Sequence, residues 1–176
     1  MATTTPNNGW AVPTSTDLVT NGATAIETLG DAIDTSVGTG LLAWTSYTPT
    51  LSGTGWVKGS GTISGRYVKL GKIVMVEIQY DFSTAGGGTA GSAVPTVTLP
   101  VNANTTINPN PAQVTILDTS AATTYIGQGS IGSTGVTANV GVASGTYTSL
   151  TGLAAGVPMV WATGDEIRWN LTYEAA

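Results

Sequence analysis

The chain has 176 residues, of which 9% are charged, and carries a net charge of −5. Nucleic acid and anionic membrane surfaces are not expected partners, because each requires several cationic side chains and the chain holds only five Lys and Arg residues. Cysteine and histidine are absent. Disulfides, ordinary zinc or copper sites, and Ser-His-Asp and Cys-His catalytic arrangements are therefore excluded.

The remaining groups that perform catalysis are thinly spread, and we predict that the chain is not an enzyme. Its adjacent carboxylates are Asp165 and Glu166. Neighbouring residues of a strand point to opposite faces, so these two side chains are not expected to form a glycosidase pair across a cleft. Asp165 is predicted to be a turn residue. Calcium sites with acidic oxygen ligands stay open as an alternative, but the sequence has no calcium-loop pattern, and we predict no metal ion and no cofactor.

In chain order, the first predicted element is an arm over residues 1–16. Its sequence, MATTTPNNGWAVPTST, has neither the basic nor the apolar segment of a signal peptide, which predicts synthesis in the cytoplasm without membrane insertion. The Thr, Asn and Pro content indicates an extended anchoring chain, in which Trp10 and Val12 are the candidate anchors. A frayed terminus is the alternative interpretation.

Residues 17–40 are predicted to form a short oligomerisation element, with a helix over 17–37. Apolar residues recur there at the heptad spacing that is typical of a coiled-coil seam. The predicted seam residues are Val19, Ile26, Leu29 and Ile33. Because the seam is narrow and its flanks are polar, oligomerisation is favoured over an amphipathic helix packed on its own domain. Asp17 or Asn21 is expected to cap the helix, and the Gly-containing residues 38–40 are expected to end it.

Residues 41–176 are predicted to form a β head domain, since short alternating runs are separated there by Gly-rich turns. The predicted fold is an antiparallel β-sandwich of jelly-roll type, with a barrel as the alternative. The Gly-rich segment 83–93 is expected to be a flexible loop. Strands are expected near 42–51, 61–69, 72–83, 95–100, 112–118, 124–131, 135–143, 157–162 and 166–174.

The stretch RYVKLGKIVMVEIQYDF, residues 66–82, is predicted to be the central hairpin of this head. A turn at Leu70-Gly71 places Lys69 opposite Lys72. The side chains expected in the core are Tyr67, Val74, Val76, Ile78, Tyr80 and Phe82. The opposite face carries an apolar patch that we expect to contact another subunit or the particle. This patch consists of Val68, Ile73 and Met75.

A second strand with clean alternation is predicted at residues 166–174. The side chains expected to face the core are Ile167, Trp169, Leu171 and Tyr173. Those expected to face outward are Glu166, Arg168, Asn170 and Thr172. This pattern predicts an antiparallel strand with one buried face.

Aromatic side chains provide the candidate contacts for a carbohydrate, because a flat ring stacks on the apolar face of a sugar. The candidates are Trp44, Tyr47, Trp56 and Tyr147. Packing in the core or between subunits is the competing interpretation of each.

The stretch PTSTDLVTNGATAIETLGDAID resembles the N-terminal segment of many minor structural proteins of tailed bacteriophages, particularly phages of actinobacteria. SYTPTLSGTGW, GRYVKLGKIVMVEI, VTLPVNA and VWATGDEIRWNLTYEAA resemble the β head that follows in such proteins. The order of these motifs over nearly the whole chain carries the resemblance, and no enzymatic motif accompanies them.

The resemblance implies a virion component: a head fibre, tail fibre, decoration protein or receptor-binding protein, usually a homotrimer. In that arrangement the arm and helix attach to capsid or tail proteins, and the β head projects from the particle. The chain has no long shaft, which favours a compact head fibre, decoration protein or small tail-tip protein. A carbohydrate-binding adhesin that recognises a host-surface glycan is the alternative function.

Overall fold

The computed structural model describes residues 3–6, 9–14, 19–37, 43–106 and 111–176. The chain divides into two compact units, Met1–Ala43 and Trp44–Ala176. The mainly β fold class is confirmed, since antiparallel strands make up most of the regular structure. One α-helix is present in the described residues.

In the first unit, two short strands precede the helix. β1 (Thr3–Thr4) pairs antiparallel with β2 (Ala11–Val12), so this part of the chain folds back as a hairpin where the sequence predicted a single extended arm. The hairpin closes with a hydrogen bond from Thr5 N to Trp10 O at 2.9 Å. A second one, at 3.0 Å, runs from Trp10 N to the Thr5 hydroxyl oxygen.

The predicted helix is α1 (Val19–Thr35). It contains no proline, and its Ala, Leu and Glu residues favour helical backbone. Asn21 lies inside the helix and therefore does not cap it. Asp17 and residues 38–40 lie outside the described residues, so the other predicted helix ends stay predictions.

The second unit contains eleven strands within the described residues. They are β3 (Thr45–Tyr47), β4 (Leu51–Ser52), β5 (Thr62–Leu70), β6 (Ile73–Asp81), β7 (Thr96–Thr98), β8 (Ala112–Asp118), β9 (Thr123–Gly129), β10 (Gly135–Thr137), β11 (Asn139–Ser144), β12 (Tyr147–Gly152) and β13 (Glu166–Glu174). Eight of these described strands form a large sheet in the order β12-β11-β9-β8-β13-β6-β5-β3, and three form a small sheet in the order β10-β7-β4. All the pairings are antiparallel.

β13 occupies the middle of the large sheet, between β6 and β8. Its strict alternation of apolar and polar residues buries one face and leaves the other in solvent. The predicted core side chains of β13 are confirmed as buried: Ile167, Trp169, Leu171 and Tyr173. Those of β6 and the residue after it are confirmed too: Val74, Val76, Ile78, Tyr80 and Phe82. Tyr67 is half-buried and packs against the same core.

The core also includes the inward side chains of the small sheet. Val97 of β7 and Val136 of β10 are fully buried in the same apolar cluster as β6 and β13. Trp169 Nε1 donates to Thr137 O at 3.1 Å, which connects the large sheet directly to β10. Tyr173 hydroxyl donates to Val101 O, beyond β7, at 2.7 Å.

The central hairpin forms between β5 and β6, but its predicted register is wrong by two residues. Lys69 pairs with Val74, and the turn consists of Gly71-Lys72, with Gly71 at a φ of 60°. Lys69 and Lys72 therefore do not face each other, and the Lys72 ammonium lies 3.4 Å from the Glu174 carboxylate. A shift of two residues leaves every side chain on the predicted face of the sheet.

Four strand predictions need correction. Residues 157–162 are an irregular segment rather than a strand, although Met159 and Trp161 within it are buried in the core. β12 was not predicted, because it is an edge strand without buried side chains at alternate positions. The strand expected at 42–51 is interrupted and gives β3 and β4. The strand expected at 135–143 is interrupted too, and it gives β10 in the small sheet and β11 in the large sheet.

Segment 83–93 packs against the core where the sequence predicted a flexible loop. Ala93 O accepts a hydrogen bond from Trp56 Nε1 at 2.6 Å. A Cβ on Gly91 would collide with Thr54 and Trp56, so that glycine is needed for the close approach of backbone to the indole ring.

Candidate functional site

The outer face of the large sheet, which is the face turned away from the core, carries a row of polar side chains. The strand registers align one residue from each of six neighbouring strands. This polar row consists of Ser46, Arg66, Glu77, Asn170, Gln113 and Gln128. A groove with a volume of about 500 Å³, called the polar groove below, lies over the row from Ser46 to Gln113. A second cavity of about 590 Å³ shares Gln113 and continues past Gln128.

The polar row follows from the burial of the apolar residues in the core. Each of its members is next in sequence to a residue that faces the core, such as Asn170 beside Trp169 and Gln113 beside Val114. Because side chains alternate along a strand, burial of the apolar set projects the polar set outward. Antiparallel pairing then brings residues from distant parts of the chain side by side.

The cations of this face are neutralised by neighbouring carboxylates. Arg66 Nε donates to the Glu77 carboxylate at 2.6 Å, and Arg168 Nε donates to the Glu166 carboxylate at 2.7 Å. Asp81 is similarly engaged, since it accepts from Gln79 Nε2 at 2.7 Å. The groove therefore presents polar groups without a strong field of either sign.

The amide side chains of the row are available to a ligand. Among the described residues, the side chains of Asn170, Gln113 and Gln128 have no hydrogen-bond partner, and all three are exposed. A carboxamide offers two N–H donors and one carbonyl acceptor. Each of these residues can thus donate to and accept from the same bound molecule.

Trp44 lies against Arg66, a residue that lines the groove. The Arg66 guanidinium carbon lies 4.7 Å from the centroid of its ring, a distance that gives a cation–π attraction. The ring is 43% exposed, and Ser46 is two residues further along the same face. The guanidinium is thus held between the indole ring and the Glu77 carboxylate.

The four aromatic residues predicted as glycan contacts do not come together. Trp56 is 6% exposed and packs edge-on against Trp161 with ring centroids 5.5 Å apart, so its prediction as a glycan contact is corrected to a core position. Trp44 and Tyr147 are exposed, but they flank opposite edges of the large sheet, beside β3 and in β12. The two rings therefore do not lie side by side.

Tyr47 also belongs to the core side of the sheet. Its ring covers Gly65 and meets the Tyr67 ring edge-on, with centroids 5.9 Å apart. Burial, assisted by the nearby Tyr173, raises the pKa of the Tyr47 phenol above its ordinary value. Its hydroxyl points to Thr98 O at 3.4 Å, so Tyr47 is a packing residue with a partly exposed rim.

The predicted seam residues of α1 differ in exposure. Ile26 is 64% exposed and Ile33 is 38% exposed, whereas Leu29 is half-buried. Val19 is the first described residue of the helix. The predicted anchors Trp10 and Val12 are both half-buried in or beside β2.

The predicted outer patch of the central hairpin is only partly exposed. Ile73 and Met75 are 53% and 42% exposed on the face opposite the core. Val68 pairs with Met75 on this face but is 7% exposed, so its prediction as an exposed contact is corrected. Leu70, which pairs with Ile73, is exposed instead and extends the patch towards the turn.

Asp165 is a turn residue, as predicted, and it is fully buried. Its carboxylate accepts from Ala162 N at 2.7 Å within the turn. It also accepts from Thr119 N at 3.0 Å and from the Thr119 hydroxyl at 3.1 Å. These bonds tie the entry of β13 to the end of β8 and leave the carboxylate occupied by structural contacts.

The described part of the chain contains no group of three or more acidic residues arranged to hold a metal ion. Within the same residues, no helix has the length and apolar character needed to cross a membrane.

Sequence reasoning identified the outward residues of β6 and β13 but missed the row that they form. Gln113 and Gln128 were not singled out, because an isolated outward amide looks like ordinary solvated surface. The available signal was a set of amides at outward positions of several strands. Only the register between distant strands brings Gln113 beside Asn170.

Comparisons of this chain with protein-family models, with curated proteins and with solved structures found no match.

Proposed function

We propose that the chain is a non-enzymatic structural protein of a tailed-phage particle. It is an oligomer, a trimer by the resemblance, that is anchored by its N-terminal unit and presents its β unit as a fibre head or decoration. The order of the resembling motifs supports the virion role. The observation that carries the oligomer is the exposure of the large side chains of Ile26 and Ile33 on one helix.

This helix is a weak one by itself. Gly22 and Gly30 lie within α1, and each lowers helix stability by about 1 kcal/mol relative to Ala. Single helices of such length are marginal in water and depend on packing of an apolar face. Association of equivalent helices through Ile26 and Ile33 supplies that packing and removes the two side chains from water. The coiled coil is thus part of the proposal.

We also propose that the two sheets of the second unit are the layers of a β-sandwich. The support is the shared core of β6, β13, β7 and β10, together with the hydrogen bond from Trp169 to Thr137 that joins the layers. The jelly-roll connectivity stays a prediction from sequence.

A second candidate function is a carbohydrate-binding adhesin of the tail tip. The polar groove, with its unpartnered amides, is the observation that favours it. The two functions are compatible because one rests on α1 and the other on the large sheet.

The oligomer is tested by introducing a charge into the seam. Sedimentation of the full chain is expected to give a mass near three times 17.7 kDa. Ile26→Asp is expected to give monomers, whereas Thr24→Asp, which adds the same charge on the opposite side of α1, is expected to leave the assembly intact. A stable monomer for the unaltered chain at all concentrations contradicts the oligomer.

The virion role is tested by immunogold electron microscopy of phage particles produced from the genome that encodes the chain. Label at fixed positions on the capsid or tail is expected. Purified particles that carry neither label nor the chain by mass spectrometry contradict the role.

A further inference from the structure

We propose that the polar row binds a neutral oligosaccharide that lies across the strands of the large sheet. This inference rests on the second candidate function, and it names the site and the ligand class. It requires neither the trimer nor the particle. The central contacts are the amides of Asn170 and Gln113, and Gln128 extends the site.

The charge pattern selects a neutral ligand. Both arginines of the groove are already paired, Arg66 with Glu77 and Arg168 with Glu166. An acidic ligand would have to displace a carboxylate from an existing ion pair, and a basic ligand would have to displace a guanidinium. Nucleic acid is disfavoured for the same reason, since phosphate binding requires free cationic side chains.

The amides match the hydrogen-bonding character of sugar hydroxyls. A hydroxyl donates one hydrogen bond and accepts others, and a carboxamide presents both donors and an acceptor in one plane. Asn170 pairs in register with Gln113, which pairs with Gln128. Neighbouring strands are separated by about 4.8 Å, so Asn170, Gln113 and Gln128 offer three such groups at that spacing on adjacent strands. A chain of linked sugar rings presents hydroxyls repeatedly along its length and can use each of them.

Trp44 and Arg66 provide a rigid end to the site. The cation–π contact and the ion pair with Glu77 restrict the guanidinium, which reduces the entropy lost when a ligand is bound. The exposed part of the indole ring lies next to Arg66, where it offers an apolar surface to a sugar ring.

A peptide segment suits the polar groove less well. Protein interfaces depend on buried aromatic or aliphatic anchors in apolar pockets. The polar groove offers outward amides, hydroxyls and ion pairs over its length. The more apolar surface at Ile126 and Leu150 lies in the second cavity, beyond Gln113.

The test uses the full chain and a panel of gluco-, galacto-, manno- and N-acetylchito-oligosaccharides, with hyaluronate as the acidic counterpart. Titration calorimetry is expected to detect binding of at least one neutral oligosaccharide. The affinity is expected to change little between low and high salt. Gln113→Ala and Asn170→Ala are each expected to weaken binding by about tenfold. Thr172→Ala is the matched control, since Thr172 is exposed on the same face of β13 outside the groove.

Four results overturn the inference. They are absence of binding across the panel, binding of hyaluronate alone, binding that survives both amide substitutions, and loss of the oligomer in Gln113→Ala or Asn170→Ala. The last result would identify the row as a contact between copies. Sedimentation of the same samples separates these outcomes from failure of the proposed assembly, because Ile26→Asp is expected to lose the oligomer and retain binding at each chain.

Discussion

The two faces of β13 show how one strand serves two purposes. Towards the core, Trp169 is 1% exposed and its indole donates to Thr137 O. One residue later, Asn170 is exposed on the outer face, and its amide has no partner among the described residues. The inner set fixes the fold by burial and shape, whereas the outer set is positioned by the fold without contributing much to it. Residues of the outer face can therefore change for function at little cost in stability.

The largest expected effect on stability comes from truncating two neighbouring residues that lie on opposite faces of β13. Trp169→Ala is expected to lower the free energy of unfolding by about 4 kcal/mol, because it removes a buried ring and leaves a cavity. Asn170→Ala is expected to change it by less than about 0.5 kcal/mol. Urea denaturation followed by circular dichroism measures both. Similar losses for the two variants would show that the outer face is also structural.

A second test compares the carboxylates at the entry of β13. Asp165→Ala is expected to destabilise the chain by about 2–3 kcal/mol, because the backbone N–H groups of Ala162 and Thr119 lose their acceptor. Glu166→Ala removes a partly exposed ion pair with Arg168 and is expected to cost at most about 1 kcal/mol. The denaturant midpoints of the two variants measure these losses of stability. A larger loss for Glu166→Ala than for Asp165→Ala would contradict the prediction.

A third test lies within the core face. The Tyr173 hydroxyl donates to Val101 O at 2.7 Å, so Tyr173→Phe is expected to cost about 1 kcal/mol. The Tyr80 hydroxyl is buried, has no hydrogen-bond partner among the described residues, and has its pKa raised by burial to about 12. Tyr80→Phe is therefore expected to be neutral or stabilising. Thermal unfolding of the two Phe variants distinguishes them, and an equal loss would reveal a partner for Tyr80.

The smallest expected effect is a pH dependence at the end of β8. Hydrogen bonds from the Ser120 hydroxyl and Ala121 N lower the pKa of Asp118 below its ordinary value. A lowered pKa in the folded state adds stability that is present above the ordinary Asp pKa and is lost as the pH falls through the lowered value. The stability difference between the unaltered chain and Asp118→Asn should follow that course. A difference that is constant with pH would show that the carboxylate charge is not involved.

The faces of the strands were predictable from sequence, but the register was less so. Side-chain alternation correctly placed Val74, Ile78 and Tyr80 in the core, because the period of a strand is two residues. The register of the hairpin was wrong because Gly71 fits a tight turn at either of two positions. A register error of two residues leaves each side chain on the same face of the sheet, so the predicted core residues of the hairpin remain correct.

Other features required knowledge of the whole fold. β12 has a polar sequence at the edge of the large sheet, where no burial imposes a pattern. Trp161 is buried in the core although it belongs to the irregular segment 157–162. That segment has the apolar content of a strand but not the backbone conformation of one, which is why it was wrongly predicted as a strand. The polar row depends on β8 lying beside β13, and those strands are far apart in sequence.

The central place of β13 also has a consequence for folding kinetics. The β5–β6 and β8–β9 hairpins involve contacts that are local in sequence, and each can form early. They become parts of one sheet only when β13 enters between β6 and β8, which closes loops of many residues. Such long-range closure slows folding. We therefore expect insertion of this strand to be the rate-limiting event, with two preformed hairpins on either side of it.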